Sequence, residues 1–281
     1  MSSATIQYNY ISMNRRFLPL ACLFLACSMA HAADEKPLAT FIELPWRYVI
    51  GGRANGQWLN SEAAGKRLPG TKTDYRVFTL AGEQARVSGG KASQDAEVCP
   101  GIWMLEVTPE PDLDQHAIGV VAPWNPMPRI AKAAATTQEV YLKIVRDLVT
   151  GKGITKPKAE ITQLLRVDLD NDGEDEVLLS ASHFKNREEM LMATGGDYSF
   201  VALRQMVEGK VQTQVFTGEF YPKADENAAP NIHEVAGLLD LDGDGTLEVL
   251  VRSTYYEGGG ISVWQLQKGK LVKVLEIQCG V

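Results

Sequence analysis

The chain has 281 residues, 28 Lys and Arg against 35 Asp and Glu, and a formal net charge of −7. Nucleic-acid binding needs a basic face, which this acidic balance does not offer. The length allows one large or two small domains with ample core, and no apolar stretch is long enough to cross a bilayer as a helix.

The first element reads as an export signal. Met13-Asn14-Arg15-Arg16 precedes the apolar run from Phe17 to Cys27, and Ala30-His31-Ala32 follows. A basic flank, a short apolar core and an A-x-A site make a secretory signal peptide. Cleavage is expected after Ala32, with residues 1–12 as an upstream start extension and the mature protein periplasmic or secreted. Neither Cys22 nor Cys27 has the leucine three residues earlier that a lipoprotein cysteine needs. Arg15-Arg16 lacks the twin-arginine spacing to Phe17-Leu18. Removing the signal leaves 26 basic and 35 acidic residues, a net charge of −9. It also leaves only Cys99 and Cys279, an even pair that in an oxidising compartment points to one disulfide.

Residues 33–130 read as an N-terminal β domain. Trp46 to Ile50 is a strand ending at Gly51-Gly52, taken as a turn. Asn55-Gly56 marks a tight turn before Gln57-Trp58-Leu59. Tyr75 to Leu80 and Gln84 to Ser88 flank Ala81-Gly82 as a hairpin, and Ile102 to Val107 is a further strand. Pro123 to Pro128 breaks regular structure and sets the domain boundary. One connecting helix follows. Thr136 and Glu139 are read as its capping box, Val140, Tyr141, Ile144, Val145 and Leu148 as its apolar face, and Gly151 as its stop.

Residues 131–281 read as a repeat domain. Leu164 to Gly173 aligns with Ala236 to Gly245, and Glu176 to Leu179 with Glu248 to Val251. His183-Phe184 falls on Tyr255-Tyr256, and Glu208-Gly209-Lys210 resembles Lys268-Gly269-Lys270. Agreement through motif, loop and turn is the mark of a duplicated unit. Each unit reads as strand, acidic loop, strand, longer loop, strand, tight turn, strand, which is a four-stranded antiparallel, blade-like meander. The fold class is therefore mainly β, with two such units, an N-terminal β segment and one helix. The acidic loops and the Gly-Lys turns fall at one end of the strands. His183, Tyr255, Tyr256 and the glycine-rich run Gly258 to Gly260, taken as a turn, fall at the other.

The acidic loops carry the chemistry. Asp168, Asp170, Asp172 and Glu176 occupy positions one, three, five and nine of the first loop; Asp240, Asp242, Asp244 and Glu248 occupy those of the second. Ca²⁺ takes six to eight oxygen ligands. These side chains, with the carbonyls of Glu174 and Thr246 at position seven, supply most of them at each of two sites. Position eight is Asp175 in one loop and Leu247 in the other, so position nine is the ligand. An Asp- and Gly-rich surface turn is the plain alternative, and two copies in register argue against it. An EF-hand needs Glu at position twelve, where this chain has Leu179 and Val251. Mg²⁺ holds its waters too firmly for an all-protein cage.

The pattern D-x-D-x-D-G-x-x-D plus an aliphatic residue resembles the FG-GAP and VCBS repeats of integrin-like propellers and bacterial extracellular proteins. Asp168 to Val177 and Asp240 to Val249 match it, with Glu in place of the last Asp. Seven blades make an integrin-like propeller, against two units here. The resemblance implies calcium that stiffens β-units, and an adhesive or ligand-binding role.

No G-x-S-x-G, H-E-x-x-H or phosphate-loop motif occurs, and His116, His183 and His233 are scattered. The chain therefore reads first as an exported calcium-binding scaffold whose loops meet a protein or glycan partner, with His183, Tyr255 and Tyr256 as candidate ligand-contact residues. The other reading is a secreted or periplasmic hydrolase with the calcium loops as support. Arg187-Glu188-Glu189, in the longer loop of the first unit, is a solvated or binding loop.

Overall fold

Burial on both faces shapes some of the strands and alternating burial shapes others. The computed structural model describes residues 38–44, 46–94, 97–110, 117–186 and 191–280. The expected signal peptide and cleavage site, His116 and Arg187-Glu188-Glu189 lie outside the described residues. The described chain is mainly β, in antiparallel sheets.

The first sheet holds β1 (Ala39–Leu44), β2 (Tyr48–Ala54), β3 (Gln57–Asn60), β4 (Thr73–Thr79), β5 (Gly82–Gln94), β6 (Trp103–Thr108) and β7 (Ala117–Val121). Its order is β1-β7-β4-β5-β6-β2-β3, and β1 also pairs with β2. That pairing closes six strands into a ring, which removes their free edges. Ile42, Leu44, Val49, Tyr75, Val77, Val87 and Leu105 fill one side of the wall. The alternate residues Phe41, Ile50, Phe78 and Ile118 pack on the other, against the last sheet. All six residues of β1 are buried for this reason.

The second sheet runs β12-β11-β10-β9-β8. Its strands are β8 (Lys132–Ala133), β9 (Ile161–Val167), β10 (Glu176–His183), β11 (Tyr198–Val207) and β12 (Lys210–Phe220). The third sheet takes β13 (Ile232–Leu239), β14 (Glu248–Tyr255), β15 (Gly258–Gln267) and β16 (Lys270–Gly280) in chain order. Leu178, Val201 and Leu203 of the second sheet meet Leu238, Val249 and Val251 of the third. Leu239, Leu250, Ile261 and Val263, on the opposite face of the third sheet, meet the ring. The third sheet is thus a middle layer, and the stretches 235–239 and 248–251 are buried on both faces. Cys99 and Cys279 are disulfide-bonded, with Cα atoms 5.5 Å apart, so the β5–β6 connection is tied to the last strand.

Five sequence expectations change. Among the described residues there are two helices rather than one. The short α1 (Ser61–Gly65) starts at Asn60, whose Oδ1 accepts from the Ala63 N–H at 2.9 Å. The helix α2 (Glu139–Gly151) starts from Gln138, which makes no side-chain cap bond, so Thr136 does not cap it. Glu139 instead pairs with Arg146. The buried stripe of α2 is Val145 and Val149, with Tyr141 and Leu148 beside it, packed on the outer face of the second sheet; Val140 is 57% exposed. Several stripes of this helix are apolar enough to bury, and contact with the sheet selects one. Finally, Gly51-Gly52 and Gly258 to Gly260 are not turns but lie within β2 and β15. A Cβ on Gly260 would stand 2.1 Å from the Ile277 carbonyl oxygen, so glycine there permits close strand approach. The second sheet also gains β8 as a fifth strand.

Candidate metal centre

Eight residues, 168–175, join β9 to β10, and eight, 240–247, join β13 to β14. Each loop turns sharply through two left-handed residues, Asn171 (φ 63°) and Gly173 (φ 93°) in the first, Gly243 (φ 77°) and Gly245 (φ 91°) in the second. Asn and Gly adopt that conformation at little steric cost. The turn aims backbone N–H groups at the first aspartate. Asp168 accepts from Asp172 and Gly173, both at 3.1 Å. Asp240 accepts from Gly243 at 2.7 Å and Gly245 at 3.1 Å. The glutamate at the start of the next strand reaches back: Glu176 Oε2 accepts from Leu169 N–H at 2.8 Å, and Glu248 Oε2 from Leu241 N–H at 2.7 Å.

These bonds gather Asp168, Asp170 and Glu176 in one trio and Asp240, Asp242 and Glu248 in the other, with one carboxylate oxygen of each residue within 4.8 Å of the others. Asp172 and Asp244 stand outside the trios. Each accepts from the N–H two residues on, Glu174 at 2.8 Å and Thr246 at 2.7 Å. Burial, reinforced by the neighbouring aspartates, pushes Glu176 up to about 7 and Glu248 up to about 9. Burial also raises Asp240 and Asp242. Glu248 is 0% exposed, and its Oε1 has no hydrogen-bond partner. A buried carboxylate oxygen without a partner is costly. All-oxygen donors of one sign, with one such orphan among them, fit a hard divalent cation.

The loops touch each other. Leu247 N–H donates to the Leu169 carbonyl at 2.8 Å. Arg129 spans both: it donates to the carbonyls of Asp168 (2.5 Å), Leu169 (3.1 Å) and Gly245 (2.7 Å). Trp124 Nε1–H donates to the Asp240 carbonyl at 2.9 Å, and Asp240 N–H donates to the Pro126 carbonyl at 2.7 Å. The irregular stretch taken as a domain boundary is therefore the clamp of the site. Only Trp124 inside the proline-rich break and Arg129 directly after it marked the clamp in the sequence.

Beside the second loop lies a cleft of about 640 Å³, lined by Arg53, Asn55, Trp124, Asp242, Asp244 and Gln265 among others. The candidate contact residues at the far end of the strands separate. His183 sits in a smaller cleft with Lys156, Lys158 and Lys185, while Tyr255 lines another with Ser253 and Gly260. His183 Nδ1 lies 3.1 Å from Glu160 Oε2. Tyr256 packs edge-on against Tyr255 and is half exposed. His233, 7% exposed, has Nδ1 2.8 Å from Ser253 Oγ. Its Nε2 is 3.9 Å from Glu219 Oε1, too long for the bond that orients the base of a Ser-His-carboxylate set.

Compared with protein-family models, curated proteins and solved structures, the chain matches none.

Proposed function

We propose that this is an exported calcium-binding protein built on two FG-GAP/VCBS-like β-units, acting as a structural and binding module. The carrying observation is Glu248, whose orphaned Oε1 lies in a largely buried trio; a more exposed trio of the same residue types forms around Glu176. Asp168, Asp170 and Glu176 would hold one ion and Asp240, Asp242 and Glu248 the other, with the carbonyls of Glu174 and Thr246 as further candidates. Bound calcium would neutralise like charges held together by the fold and lock each β-strand to the next. Equal lengths support the duplicated unit: β10 and β14 have 8 residues, β11 and β15 have 10, and β12 and β16 have 11. The Cys99–Cys279 bond suits an oxidising compartment.

Elemental analysis and melting with calcium or chelator test this. A site at 100 times its Kd adds about 2.7 kcal/mol per ion, so calcium should raise Tm by several degrees. Identical melts, with no metal retained, would refute it.

A further inference from the structure

The cleft beside the second loop has the size of a small-ligand site, for which roughly 300–1,000 Å³ is usual. Four separate pieces of chain wall it: the β2–β3 hairpin, the 121–131 segment, the second acidic loop and β15. Its groups are held in place. Trp124 is fixed by its bond to Asp240 and by Gly243, where a Cβ would come within 3.0 Å of the indole. The Arg53 guanidinium lies 4.7 Å from the Trp58 ring centroid and 3.4 Å from Asp242 Oδ2. Gln265 Nε2 donates to the same Asp242 oxygen at 2.8 Å. Asp242 therefore belongs both to the metal trio and to the cleft wall.

We infer that this cleft binds a carboxylated saccharide in a calcium-dependent way, a proposal that rests on the calcium reading above. Arg53 offers planar donors suited to a carboxylate. The Trp124 indole suits the apolar face of a sugar ring, and the amides of Asn55 and Gln265 suit its hydroxyls. Asp244, and Asp242 despite its pairing with Arg53, repel an anion. An ion in the trio would offset two of those charges and offer the ligand oxygens a further partner, because Ca²⁺ takes more oxygens than three carboxylates supply. The orphaned Glu248 Oε1 points independently to that ion.

Titration calorimetry of the mature protein with digalacturonate is the test, beside maltotriose, an acidic tripeptide and a separate calcium titration. Digalacturonate should bind in calcium and not in chelator. Arg53→Gln should weaken it about tenfold or more, the loss of one charge-assisted contact, with calcium stoichiometry unchanged. Gln265→Leu supplies the same comparison should Arg53→Gln not fold. Equal binding of maltotriose, tighter binding of the tripeptide, or no digalacturonate binding to protein that has taken up two calcium ions would each overturn the proposal. Failure to take up calcium at all would instead sink the calcium reading, and the cleft proposal with it.

Discussion

Leu247 N–H donates to the carbonyl of Leu169, 2.8 Å away, and each residue is joined to a candidate ligand. Leu169 N–H holds Glu176, and Leu247 directly precedes Glu248. Arg129 adds bonds to the same Leu169 carbonyl and to Gly245. Ordering one loop therefore orders part of the other.

Calcium uptake should accordingly be cooperative, with the second ion bound more tightly than the first. Arg129→Ala leaves three carbonyls without this donor and should cost about 1–3 kcal/mol. It should also flatten the calcium isotherm towards two independent sites. A calcium titration of both proteins decides; identical isotherms would show that the clamp carries no coupling.

Ligand identity can be separated from mere acidity. Asp240→Ala removes the acceptor of the Gly243 and Gly245 N–H groups as well as a trio oxygen, and should reduce calcium from two ions to one. Asp175 faces Arg166 at 3.5 Å rather than a trio. Asp175→Ala should keep both ions and change stability by less than about 1 kcal/mol, as for an exposed pair. Metal counting by atomic emission checks both.

The pH response should invert with metal. Burial raises Glu43 to about 7, Glu176 to about 7 and Glu248 to about 9, all from an ordinary 4.5. A raised carboxyl favours the fold while protonated. Its contribution is complete below about 4.5 and is lost as pH climbs through the folded value. In chelator, Tm should therefore fall between pH 5 and pH 9. In excess calcium the ion competes with the proton and binds better as pH rises, so the fall should shrink or reverse. Melts over that range in the two buffers provide the check.

Reduction should loosen the whole molecule. The Cys99–Cys279 bond spans 180 residues, for which chain entropy gives about 5 kcal/mol as an upper figure. Cys99→Ala/Cys279→Ala should melt well below the parent, and non-reducing peptide mapping should recover the linked pair. Two free thiols in protein from an oxidising compartment would contradict the bond.

Much of the candidate site was legible because its information is local. Alternating aspartates, a glycine at position six and a glutamate at position nine lie within one short loop, where sequence spacing nearly fixes spatial spacing. Comparing the two loops singled out Glu176 over Asp175 as the candidate ligand, and counting cysteines paired Cys99 with Cys279. The strands around the loops were readable for the same reason, since apolar runs between turn residues report burial directly. What the sequence could not carry was the contact between distant pieces. Arg129 meets Leu169 across 40 residues and Gly245 across 116, and no periodicity records such a meeting. The closing of the ring by β1 and β2, and the sharing of Asp242 between trio and cleft, are of the same kind. So is the choice of Val145 and Val149 over Val140 as the buried stripe of α2. Each is decided by which surfaces pack together, and packing depends on the shape of the whole chain rather than on any window of it.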